Sequence, residues 1–144
     1  MKKIILILSC LFFIGTLPVQ SQTIFGKWKT IDDETGNEKS VVEIYQKDGK
    51  AYAKIVQLLE KENEDKVCEN CKGLNKDKPI KGMEIINGLI KDDNEWSNAK
   101  ILDPKTGKMY NCNITFDSPN KLRVRGYIGF ALFGRTQYWY KVED

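Results

Sequence analysis

The chain has 144 residues, a formal net charge of +3 and no histidine. That length sets one domain as the default, and the missing histidines remove the commonest general base and the commonest metal ligand together. Lys2 and Lys3 belong to an N-terminal leader, so the remainder is nearly neutral and lacks the basic footprint that nucleic-acid binding requires.

The leader comes first. Met1-Lys2-Lys3 is a short basic start, Ile4 to Leu17 is almost wholly apolar, and Val19-Gln20-Ser21 offers small residues at the third and first positions before a cleavage point. This is the pattern of a secretory signal peptide, too short and wrongly flanked for a membrane span. The expectation is cleavage after Ser21, with 1–21 as signal peptide and 22–144 as a single periplasmic or secreted domain. Leu8-Ser9-Cys10 offers an alternative, a lipoprotein cut before Cys10, which the shortness of the preceding apolar run disfavours.

The first strand is predicted over 24–31, and Asp32 to Asn37 turns by composition. The second strand covers 41–47. Asp48-Gly49 is the strongest hairpin signal in the chain, and a third strand follows over 51–59. Glu60 to Lys81 breaks the pattern: lysines, acids, Cys68-x-x-Cys71, Gly73 and Pro79 leave no amphipathic period. A loop that long inside a small domain is usually functional or poorly ordered.

Regular alternation resumes with strands over 83–90, 95–102 and 108–116. They are punctuated by Lys91-Asp92-Asp93-Asn94 and by Asp103-Pro104-Lys105-Thr106-Gly107, whose proline and glycine suit a tight turn. Asp117-Ser118-Pro119-Asn120 leads into strand seven over 121–128. There Leu122, Val124 and Ile128 alternate with Arg123, Arg125 and Tyr127. Strand eight covers 135–142. Eight strands with mostly tight connections and no amphipathic helix predict an all-β, up-and-down antiparallel barrel, because pairing the first strand with the last removes both exposed edges. A two-sheet sandwich is the alternative. An eight-stranded barrel is just wide enough to be filled by side chains or to hold one small ligand.

Export fits the cysteines. Cys68 and Cys71, close together in a polar loop, are expected to form a local disulfide, a structural staple. A redox or zinc role lacks its context: no βαβ unit surrounds the pair, no second C-x-x-C exists, and Lys72 stands where a haem attachment motif needs histidine. Cys112, on the face of Tyr110, Ile114 and Phe116, reads as a small buried hydrophobe. No catalytic residue, metal site or cofactor is expected.

Gly26-x-Trp28 on the first strand resembles the signature of lipocalins and their relatives. Their tryptophan plugs the closed end of the barrel and a basic residue of the last strand packs across it; Arg135 or Lys141 would take that part here. A longer ordered set carries a more specific resemblance: Gly26-x-Trp28, Val42-x-Ile44, Cys68-x-x-Cys71, Asp77-Lys78-Pro79-Ile80, Ile101-Leu102-Asp103-Pro104, Gly107-Lys108-x-Tyr110-x-Cys112, Arg123-Val124-Arg125-Gly126-Tyr127 and Gly134-Arg135-Thr136-Gln137-x-Trp139. Together they look like the exported bacterial proteins catalogued as domain of unknown function 2147. The resemblance implies a lipocalin-like fold and an envelope location, and no activity. Ala53-Lys54 departs from the family's frequent Gly-Arg.

Candidate ligand-binding residues are Trp28, Arg125, Tyr127, Phe130, Phe133, Arg135 and Trp139. Phe130 and Phe133 belong to an apolar stretch between glycines, Gly126 to Gly134. Most apolar loops bury themselves, so a plug folded into the barrel is the first expectation. A lid, or a patch that meets a membrane or an envelope protein, is the functional alternative. An inward Arg125-x-Tyr127 pair would hold a carboxylate, but if the opposing apolar face of Leu122 and Val124 points inward, Arg123 and Arg125 both point to water. Asp32, Asp33 and Glu34 read as solvated turn residues. The expected function is non-catalytic binding of a small hydrophobic or amphipathic ligand; the alternative is an envelope interaction or structural protein with a filled barrel.

Overall fold

The computed structural model describes residues 15–17, 21–130 and 132–143. Most of the leader, including Cys10 and Val19-Gln20, lies outside them, as does Ala131. Eight strands run in order: β1 Gly26–Ile31, β2 Glu38–Lys47, β3 Lys50–Leu58, β4 Glu84–Asp92, β5 Glu95–Asp103, β6 Lys108–Ser118, β7 Lys121–Tyr127 and β8 Gly134–Lys141. Each pairs antiparallel with its neighbour and β8 returns to β1, so the sheet is a closed up-and-down barrel rather than a sandwich. Asp48 and Gly49, at φ of 51° and 74°, adopt the left-handed pair that joins twisted strands in a two-residue hairpin.

The seam between the chain's two ends is short. Trp28↔Lys141, Lys29↔Tyr140 and Thr30↔Trp139 pair across it, and the Val142 N–H donates to the Lys27 carbonyl at 3.0 Å. At the closed end Trp28 is wholly buried. Its Nε1 donates to the carbonyl of Ile24 at 2.8 Å, and its ring meets Phe116 edge-on at 6.4 Å. Ile24, predicted within the first strand, precedes it and acts instead as this acceptor.

The 59–83 connection between β3 and β4 is more ordered than its sequence suggests. It carries 3-10 turns at Lys61–Asn63 and Gly73–Asn75 and an antiparallel bridge, Val67↔Pro79. Cys68 and Cys71 form a disulfide with Cα atoms 5.3 Å apart, and both are buried. This stapled corner docks on the β5–β6 turn, where Asn70 Nδ2 donates to the carbonyl of Lys105 at 2.9 Å. The approach is so close that a Cβ on Gly107 would lie 1.9 Å from the Asn70 carbonyl oxygen.

Candidate functional site

Antiparallel order places the β1–β2, β3–β4, β5–β6 and β7–β8 connections at the end opposite Trp28. There the barrel opens into a cavity of about 600 Å³, within the range of small-molecule sites. Its floor is apolar, with Val42, Ile55, Ile85, Leu102, Val124 and Trp139. Its rim is charged and includes Asp32, Lys39, Glu60, Lys66, Lys105 and Arg135. Part of the wall comes from the long connection, which contributes Val67 and Ile80 among others. The disulfide corner therefore shapes the mouth of the cavity as well as its own turn.

Arg135, Gln137 and Trp139 alternate inward along β8 and all line the cavity. Beyond Thr30↔Trp139 the β1–β8 ladder stops, and side chains take over the closure. Arg135 Nε donates to Asp33 Oδ2, its Nη2 donates to Asp33 Oδ1 at 2.6 Å, and Gln137 Nε2 reaches the same Oδ1 at 3.3 Å. The Arg135 hydrogen bond holds the Asp33 carboxyl below its ordinary range, and Asp33 in turn raises the guanidinium. Asp32 is also held low, chiefly by the backbone N–H of Thr35. The acid cluster is thus not merely solvated: Asp33 is the partner of Arg135 and Asp32 builds the turn that presents it. The cue available in the sequence was charge complementarity between the turn after the first strand and the start of the last.

Of the seven residues singled out in the sequence, the cavity gathers Arg135 and Trp139. Trp28 sits below it as the plug of the closed end. Arg135 is at the opposite end of β8 and does not pack across Trp28; Lys141 is the residue in register with that tryptophan. Arg125 and Tyr127 do not line the cavity: Val124 and Gly126 take the inward positions and alternation turns their neighbours outward. Arg125 Nη1 there donates to Thr136 Oγ1 at 2.9 Å.

The β7–β8 connection is not a plug. Ile128, Phe130, Leu132 and Phe133 are 62%, 78%, 88% and 73% exposed. Backbone hydrogen bonds from Ile128 N to Phe133 O and from Phe133 N to Phe130 O close the turn on itself. Gly129 sits at φ 72°, and a side chain at Gly134 would strike Tyr127 Cβ at 2.7 Å. A turn this tight has no slack to fold back over the barrel, so its apolar side chains project from the rim.

Trp139 carries an unusual feature. Its ring is buried, yet among the described residues its Nε1 has no hydrogen-bond partner. Nearby, Thr30 and Ser40 hydroxyls satisfy each other at 2.7 Å. Cys112 is free and buried, and burial pushes its thiol up to about 12, which suits a packing role. Among the described residues no group of three or more Cys, Asp or Glu side chains is placed to hold a metal ion.

The geometry has parallels elsewhere. The family model of uncharacterized proteins conserved in bacteria (DUF2147) matches residues 26–141. A solved structure of protein HP1028 from Helicobacter pylori, described as belonging to the lipocalin family, superposes with a TM-score of 0.75 at 20% identity, covering 85% of this chain and 84% of that one. No curated protein matches the sequence.

Proposed function

The chain belongs to that DUF2147 family, and on this premise we propose that it is a non-catalytic, lipocalin-like binding protein that holds a small hydrophobic or amphipathic ligand in its barrel. The observation that carries this reading is the cavity of about 600 Å³ with an apolar floor and a polar rim. A floor of branched aliphatic side chains and one indole gains from any apolar surface it removes from water, roughly 25 cal/mol per Å². The leader and the buried disulfide favour a periplasmic or secreted location, an oxidising compartment.

The exposed turn at the same end supports a second element of this reading. Four large apolar side chains beside the mouth are costly to leave in water and mark a contact surface for a membrane or an envelope protein. The competing function, an envelope scaffold with a filled barrel, is disfavoured by the size of the empty interior.

The test is to purify the mature chain from its native compartment, extract it with organic solvent and examine the extract by mass spectrometry. The emptied barrel is then titrated with N-phenyl-1-naphthylamine, an uncharged apolar fluorophore. A stoichiometric co-purifying lipid-like molecule, or saturable fluorophore binding lost on substituting Val124→Trp, is the expected result. An empty extract together with no fluorophore binding would leave the scaffold function standing instead.

A further inference from the structure

We propose that the ligand's head group carries no net charge: an uncharged or zwitterionic amphiphile such as a monoacylglycerol or a lysophospholipid, rather than a fatty acid or an alkylamine. This rests on the carrier reading above and narrows it. The charges around the mouth are balanced and mostly committed. Arg135 is held by Asp33, with Glu34 at 3.6 Å; Lys39 lies 4.0 Å from Asp32 and Lys105 4.0 Å from Glu34. The rim carboxylates have structural work of their own. Asp32 Oδ1 accepts the N–H groups of Glu34 and Thr35, and Asp103 accepts the N–H of Lys105 and the hydroxyl of Thr106.

A fatty-acid carboxylate entering this site would compete with Asp33 for Arg135, and because that guanidinium is exposed, exchanging one screened pair for another gains little. Its other choices are Lys66, which has no ion pair among the described residues, and Lys39 and Lys105, whose pairs are 4.0 Å long. Lys66 is exposed, and a solvent-screened pair adds little. An alkylamine meets the mirror-image obstacle: Asp32 and Asp103 hold their turns, Glu60 accepts from the Asn63 amide, and Glu69 is exposed like Lys66, where a solvent-screened pair adds little. The floor residues Val42, Ile55, Ile85, Leu102, Val124 and Trp139 carry no charge to answer either. The Arg125 that would have supplied one is on the outer face.

Uncharged hydrogen-bonding groups are present where the head of a neutral amphiphile would sit. The Tyr110 side chain lines the cavity and its hydroxyl bonds to no other described residue. The Gln137 carboxamide uses its N–H₂ on Asp33 and leaves its oxygen as an acceptor. Hydroxyl, ester and phosphocholine-type heads can use these groups without leaving an ion unpaired.

The experiment is displacement of N-phenyl-1-naphthylamine by four amphiphiles of one chain length, each below its micellar concentration: myristate, tetradecylamine, monomyristoylglycerol and myristoyl lysophosphatidylcholine. The two of zero net charge are expected to bind at least about tenfold more tightly than the two ions, with affinities that do not change with salt. Myristate or tetradecylamine binding as tightly as the other two would overturn the inference and leave the carrier function intact. Failure of the fluorophore and of all four amphiphiles to bind would overturn both.

Discussion

The guanidinium of Arg135 is joined by two hydrogen bonds to the carboxylate of Asp33, 102 positions earlier in the chain. The contact begins where the backbone ladder between β1 and β8 ends, at Thr30↔Trp139. A strand edge without a partner is an opening in a barrel wall, so the Asp33–Arg135 pair completes the seam beside the cavity mouth.

Breaking that pair should cost little in stability and more in containment. With the side chains 30% and 56% exposed, a double-mutant cycle of Asp33→Asn and Arg135→Gln is expected to give a coupling of about 0.5–1 kcal/mol in urea denaturation. The dissociation rate of a bound fluorophore should rise in both variants. The pair also predicts a pH effect. Asp33 is depressed in the folded state, so its contribution is present above the unfolded value near 3.8 and is lost as pH falls through the folded value. Between pH 5 and the acid limb, wild type should therefore lose more stability than Asp33→Asn.

Much of this fold was legible in the alternation of side chains. Tight hairpins such as Asp48-Gly49 and Asp103 to Gly107 marked the strand ends to within a few residues, whereas period two along β7 showed which residues share a face and left open which face turns inward, so Arg125 stood both as a candidate ligand contact and as a solvent-facing residue. The site was less legible. Its rim comes from loops, whose side-chain directions follow no period, and Asp33 meets Arg135 only because the barrel closes. The exposed Phe130 and Phe133 ran against the ordinary tendency of apolar loops to bury, because the turn that carries them is hydrogen-bonded too tightly to fold inward.

Those aromatic side chains give the next prediction. Phe130→Ser with Phe133→Ser removes exposed side chains that hold no core together, so thermal stability should change by no more than about 0.5 kcal/mol. Co-sedimentation with vesicles of phosphatidylethanolamine and phosphatidylglycerol should fall about tenfold or more if the turn inserts into lipid. Unchanged sedimentation would remove the membrane from the list of surfaces this turn meets.

Gly107→Ala should be among the more damaging single-methyl substitutions in the chain. The position is at φ 71° and its Cβ would lie 1.9 Å from the Asn70 carbonyl oxygen. The disulfide corner cannot stay docked on the β5–β6 turn against a carbon at that distance. A loss of about 2 kcal/mol or more is expected, along with faster hydrogen exchange over 66–80 and little change in the β6–β7 ladder.

Cys112 should be chemically silent in the folded protein. Burial lifts its thiol to about 12, so at pH 8 almost none is thiolate, and the thiol is also out of reach of a reagent. In a protein spanning residues 22–144, which lacks Cys10, iodoacetamide is expected to label no cysteine in the native state and one after unfolding in guanidinium without reductant. Native labelling would mean that the Cys112 region of β6 opens readily or that the Cys68–Cys71 bond is not intact.

Trp28 and Trp139 offer a paired test, since both rings are buried and they stand on neighbouring strands. Replacing Trp28 by Phe removes the donor to Ile24 at 2.8 Å. A buried carbonyl is then left unsatisfied and a gap opens at the plug, for a loss of about 2–4 kcal/mol. Trp139→Phe trims the same apolar area but also deletes an N–H that has no acceptor. Relief of that desolvation penalty, about 1–3 kcal/mol, should bring the net loss down to about 1 kcal/mol in the emptied barrel. Urea denaturation at neutral pH compares the two directly. Equal losses would mean that the Trp139 N–H is satisfied in solution by a buried water. A Trp139 loss that becomes large only when an amphiphile is bound would place the ligand's own oxygen on that indole.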